Sequence, residues 1–186
     1  MNKTTITENK SMYSKENYRK KLFKEFDIFA KESSLTEEDW YRISYRQVLS
    51  EEFIREFEHS VNWPQISYYQ EISEDFICEF QDKVDWSHIS FRQSLSEDFM
   101  KKFSHKINWN KISSKQIMFN DFILENSDKI DFNIYFVYQQ ANFEIMKKFI
   151  LKSTHKYVQY FKLEHLTKEQ KQEIQRILDL KYLFTK

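Results

Sequence analysis

The sequence predicts an all-α fold: an α-solenoid of about five 23-residue, two-helix repeats with helical caps at both ends. Three observations carry this expectation. Trp40, Trp63, Trp86 and Trp109 are spaced by 23 residues each time, and Phe132 continues the series. Gln47, Gln70, Gln93, Gln116 and Gln139 each follow those aromatics by seven residues. The chain of 186 residues contains no glycine, where average usage of about 7% would supply roughly thirteen. Tight two-residue hairpins need residues at positive φ, so an all-β fold is disfavoured.

The N-terminal residues 1–14 are polar and read as a disordered tail. Residues 15–38 read as a capping helix followed by a degenerate half-repeat. The helix is expected over 15–32, with Tyr18, Leu22, Phe26 and Phe29 on one stripe. Leu35-Thr36-Glu37-Glu38 echoes the Leu-Ser-Glu-Glu of the repeats.

Five repeats then cover residues 39–153, with the consensus [DN]-W-x-x-I-S-x-x-Q-x-[LI]-S-E-[DE]-F-[IM]-x-x-F-x-x-x-[VI]. Ser50, Ser73 and Ser96 stand where a helix N-cap is wanted, and two acids follow each. Phe53, Ile54 and Phe57 then share one apolar face, in a helix of about ten residues ending near Val61. A shorter second helix of six to eight residues opens after Asp or Asn, with Trp first and, in the second repeat, Pro64 next. The Asp and Asn at these junctions are the non-glycine residues most tolerant of left-handed φ. The fifth repeat is worn: Phe132 replaces Trp, Phe136 replaces Ser, and Asn142 replaces the Ser cap. Residues 154–186 read as C-terminal capping helices, with a capping box from Thr167 to Gln170 and with Ile174, Ile177 and Leu178 turned inward.

The repeat motif resembles the tandem short helical repeats of the D-W-x-x-I-S-x-x-Q-x-L-S-E-x-F-I type found in proteins of large DNA viruses, phages and AT-rich bacteria. The match covers about 60% of the chain. The resemblance implies a helical-repeat protein of viral or mobile-element origin, and it carries no catalytic residues to transfer. A chain rich in Lys, Asn, Ile, Phe and Tyr also fits an AT-rich genome.

Composition narrows the functional classes. Without glycine there is no phosphate-cradling loop, dinucleotide fingerprint or nucleophile elbow. Lys and Arg (29) balance Asp and Glu (29), which removes the large basic excess of dedicated DNA binders but not a local patch. No apolar stretch approaches the ~20 residues that span a bilayer. The lone Cys78 fits a reducing compartment, and the expected location is the cytoplasm, of the host if the protein is viral. The five histidines lack zinc-ligand spacing, and no metal or cofactor is expected.

Two sets of residues are singled out. Trp40, Trp63, Trp86 and Trp109, with the five glutamines, form a structural ladder. An invariant amide suits a buried helix end that needs partners, whereas a position that reads a ligand group in each repeat varies. The variable positions five and six after the aromatic are the candidate contacts: Tyr45, Arg46, Tyr68, Tyr69, Phe91, Arg92, Lys115 and Tyr138. Charge is uneven, acidic in the first two repeats and basic toward the C-terminus, a distribution that can steer a partner. The resulting expectation is a non-enzymatic protein-binding module, an adaptor or inhibitor aimed at a host defence protein. The alternative is single-stranded nucleic-acid binding through the aromatic–basic stripe.

Overall fold

The computed structural model describes residues 15–29, 31–46 and 48–183. The expected N-terminal tail and Gln47 lie outside the described residues. The fold is an all-α helical-repeat solenoid, and every regular element among the described residues is an α-helix or a 3₁₀ turn. The chain divides into two compact units, one ending at Asp85 and the other beginning at Trp86. The 23-residue period runs through this boundary without a break, so the sequence carries no sign of it.

The first unit holds α1 (Lys15–Glu25), a 3₁₀ turn (Glu32–Ser34), α2 (Glu37–Arg46), α3 (Glu51–Glu56), α4 (Trp63–Tyr69) and α5 (Glu74–Glu79). The second holds α6 (Trp86–Arg92), α7 (Glu97–Lys102), α8 (Trp109–Lys115), α9 (Asn120–Glu125), α10 (Phe132–Tyr138) and α11 (Phe143–Phe149). It closes with a 3₁₀ turn (Ile150–Lys152), α12 (His155–Val158) and α13 (Lys168–Leu183). Equivalent helices of successive repeats pack side by side within each unit: α2 on α4 in the first, α6 on α8 and α8 on α10 in the second.

The caps explain where the helices begin. The hydroxyls of Ser50, Ser73 and Ser96 accept from the backbone N–H of Phe53, Phe76 and Phe99. Asn62, Asn108 and Asp131 do the same for α4, α8 and α10. Their φ values of −85°, −88° and −79° are extended, so the expectation that these residues supply left-handed backbone is corrected. Asp39 departs from the pattern. It sits inside the first turn of α2, where its carboxylate accepts from the Thr36 N–H at 2.9 Å while the Thr36 hydroxyl accepts from the Asp39 N–H at 3.2 Å. Thr36 is therefore the cap, and α2 gains a turn over its equivalents.

The way α3, α5, α7 and α9 end explains how the repeats dispense with glycine. These helices are six residues long rather than about ten. Phe57, Phe80, Phe103 and Asn126 follow with φ between −112° and −105° and ψ between 23° and 29°, on the allowed side of the map. The Phe57 carbonyl then accepts from both Ser60 and Val61 N–H, and the Phe80, Phe103 and Asn126 carbonyls repeat this two-donor turn. The chain reverses there without any left-handed residue.

Left-handed backbone occurs at a single described residue, Asp27 (φ 53°). The Ile28 N–H bonds to the Phe23 carbonyl at 2.8 Å and the Asp27 N–H to the Lys24 carbonyl at 3.3 Å, the pattern of a Schellman stop. Helix α1 therefore ends seven residues before the expected 32. Tyr18 and Leu22 are buried as anticipated, but Phe29 lies beyond the stop and is 87% exposed.

The core is aromatic. Trp63 lies 4.9 Å from Phe80, and Trp86 lies 5.0 Å from Phe103, each tilted on the second phenylalanine of its repeat. Trp109 stacks on Phe122 at 6.2 Å, and Phe132 stacks on Phe149 at 4.4 Å. At the C-terminal end Thr167 and Gln170 exchange bonds at 3.0 and 3.2 Å. Ile174 and Leu178 of α13 are buried, while Ile177 is half-buried.

Candidate functional site

Two chemistries recur along the repeats, one inside the junctions and one at the surface. The glutamine amide works inside. The Gln70 Oε1 accepts from the Leu49 N–H at 2.8 Å, and its Nε2 donates to the Ser44 carbonyl at 2.9 Å. Gln116 accepts from Leu95 N–H at 3.1 Å and donates to the Gln93 carbonyl at 2.7 Å. Gln139 donates to the Ser114 carbonyl at 2.9 Å. Gln70, Gln93 and Gln116 are buried. Each of these bonds satisfies backbone left open between the two helices of the preceding repeat, where an unpaired group costs about 1–3 kcal/mol.

A buried serine four residues after the aromatic adds a second strap. The Ser44 hydroxyl donates to the Trp40 carbonyl at 2.7 Å and accepts from the Asn62 N–H at 2.9 Å. Ser67, Ser90 and Ser113 repeat both bonds, closing on Asp85, Asn108 and Asp131. A third strap comes from the acids after the cap. The Glu51 carboxylate accepts from the Ser73 N–H, and Glu97 from the Phe119 N–H, both at 2.7 Å. In the fifth repeat Phe136 replaces the serine, and its carbonyl accepts the Lys162 N–H at 2.9 Å. These straps give the recurring polar positions of the repeat a structural role.

A lysine ladder was not anticipated from the sequence. Lys83, Lys106, Lys129 and Lys152 stand 20 residues after the aromatics, each with its ammonium 5.3–5.8 Å from the ring centroid of Trp63, Trp86, Trp109 or Phe132. The period was visible. Its meaning depends on the chain turning back over the ring, which spacing alone does not show.

The eight candidate contacts fall four in each unit. In the first unit Tyr45 lies 5.8 Å from Tyr69, Tyr69 lies 4.7 Å from Tyr68, and Tyr41 lies 5.4 Å from Tyr45. The Arg46 Nε donates to the Tyr45 hydroxyl at 2.7 Å. Tyr69 is 52% exposed, and Tyr41 is also exposed. Four tyrosines and an arginine thus make one surface patch. Tyr41 was missed, although it stands four residues before Tyr45 on the same helical face.

In the second unit Phe91, Lys115 and Tyr138 line one groove of about 780 Å³. Lys111, Tyr157, Tyr160, Asn108 and Asn133 are also among its lining residues. Lys111 and Lys115 place their ammonium groups 5.1 and 4.8 Å from the Phe91 ring centroid. Arg92 is exposed and does not line this groove; it lines a smaller adjoining concavity with Ile117, which shares Phe91 and Lys115 with the groove. Lys111 was legible as the i−4 neighbour of Lys115. Tyr157 and Tyr160 were not, because they lie beyond the repeats. The bonds from Lys162 N–H to the Phe136 carbonyl and from Lys162 Nζ to the Tyr138 carbonyl hold their segment against α10.

Among the described residues no group of three His, Cys, Asp or Glu is placed to hold a metal ion, and no helix is long and apolar enough to cross a membrane. Comparison with known proteins finds no matching family model, no matching curated protein and no matching solved structure.

Proposed function

We propose that the chain is a non-enzymatic binding module whose partner is another protein. The observation that carries this reading is the tyrosine patch of the first unit, with Tyr41, Tyr69 and Arg46 exposed and Tyr45 and Tyr68 half-buried between them. Tyrosine offers large contact area with few torsions to immobilise and a hydroxyl for hydrogen bonding, and Tyr and Arg are enriched in binding hot spots. The patch stands on helices strapped by buried Gln and Ser bonds, so it is pre-organised and little ordering is required on binding. The carboxylates of Ser-Glu-[Asp/Glu] serve helix starts and straps, a use that needs no catalysis.

The resemblance to repeats of large DNA viruses and phages adds the finer proposal: an adaptor or inhibitor of a host defence protein, acting in the host cytoplasm. The test is quantitative capture from host lysate with the native chain and with Tyr45→Ala/Tyr69→Ala side by side. A single protein retained by the native chain and lost by at least tenfold with the variant supports the reading. Capture that is indifferent to the two tyrosines sinks it.

A further inference from the structure

Several cations of this protein pair with carboxylates. Arg19 contacts Glu56 and Glu32, Arg55 contacts Glu51 and Glu79, Lys83 contacts Glu58, Lys101 contacts Glu125, and Lys147 contacts Glu173. Lys111 and Lys115 differ. Among the described residues neither has a carboxylate partner; both lie over the face of Phe91, and both line the groove of the second unit. No carboxylate lines that groove. Asp131, beside it in sequence, has its carboxylate turned into the cap of α10, on the N–H groups of Asn133 and Ile134.

We propose that this groove binds a single strand of nucleic acid, a site separate from the tyrosine patch. The lysines meet two backbone phosphates, and the rings present stacking faces to the bases. Tyr138 and Tyr160 are 55% and 59% exposed, and Tyr157 is exposed beside them. Successive aromatic faces with flanking cations form the pattern that holds single strands without sequence preference. The amide oxygens of Asn108 and Asn133 accept from the Lys111 and Thr154 N–H groups, which leaves their NH₂ groups as donors for a ligand. An acidic peptide would satisfy the lysines but offer nothing to stack on the exposed rings of Tyr138, Tyr157 and Tyr160. A duplex keeps its bases stacked on each other and away from the rings.

The test uses the full chain and fluorescence anisotropy with labelled twelve-nucleotide oligouridylate, oligothymidylate, a duplex and oligoglutamate. The strands should bind, with log affinity falling against log salt at a slope of about −1.4, from roughly −0.7 for each of two phosphate contacts. Lys111→Ala/Lys115→Ala should remove that slope and weaken binding at least tenfold. Tyr160→Ala should weaken it on the order of tenfold, while Tyr160→Phe should retain it. Tyr69→Ala, in the other unit, should leave strand binding unchanged, so this site and the protein-binding patch fail or succeed separately. Strand affinity that ignores both lysines, oligoglutamate bound as tightly as the strands, or a duplex bound as tightly as a single strand would each overturn the proposal.

Discussion

Repeats two (62–84) and four (108–130) follow one pattern and treat their surfaces in opposite ways. Both keep the Asn cap, the Trp–Phe contact, the buried Ser with its two bonds and the Gln amide on the preceding junction. Outside that skeleton they part. Repeat two caps its second half with Ser73 and ties Lys83 to Glu58 at 2.9 Å. Repeat four puts Phe119 at the cap position, where no side-chain bond forms and the ring is 76% exposed, and it leaves Lys111 and Lys115 over a ring. The buried bonds and the exposed side chains thus occupy different positions in the 23 residues. A handful of junction residues hold the repeat, and the remainder is free to diverge.

Three measurements break or sharpen that contrast. The largest effect belongs to the shared skeleton. Gln70→Met and Gln116→Met keep apolar volume but orphan buried backbone groups, and each should lower unfolding free energy by on the order of 3 kcal/mol. Denaturant titration checks this, and a loss in one repeat but not the other would refute the equivalence.

The caps should respond with opposite signs. Ser73→Ala should destabilise by about 1 kcal/mol, whereas Phe119→Ser supplies a missing cap and should stabilise by about the same amount. Thermal melts of the two variants decide it.

The smallest effect is the surface ion pair. The hydrogen bond from Lys83 holds the Glu58 carboxyl below the usual carboxylate range. A lowered folded-state value means stability that is present above the unfolded glutamate range and lost as pH falls through the folded value. Lys83→Ala should abolish that part of the acid dependence and remove about half a kcal/mol near neutrality. Unfolding followed from pH 7 to 3 separates the two chains.

The period exposed the buried positions because a residue that must face its neighbour recurs with the neighbour. Trp, Ile, Phe and Gln were therefore readable. The partners of Gln70 lie 21 and 26 residues back, so which groups the amide satisfies emerges only when the repeats are stacked. The end of α1 was misjudged because apolar spacing continued to Phe29, while Asp27 had already turned the backbone. At the surface, the candidate positions Tyr45, Tyr69, Phe91 and Lys115 follow the repeat and could be singled out by it. Tyr157 and Tyr160 follow no register, and only the return of the chain onto α10 brings them to the groove.

The backward reach of the Gln and Ser straps bears on how such a chain changes length. Each bond joins a residue to the same place in the preceding copy, so the chemical unit has no privileged starting point. Between copies that keep both the Ser and the Gln, adding or removing a whole 23-residue stretch should leave equivalent partners on either side of the cut. The termini are exempt: Thr36 at one end and Phe136 with Lys162 at the other are one-off solutions. A chain built this way should tolerate a change of copy number in its middle better than at its ends.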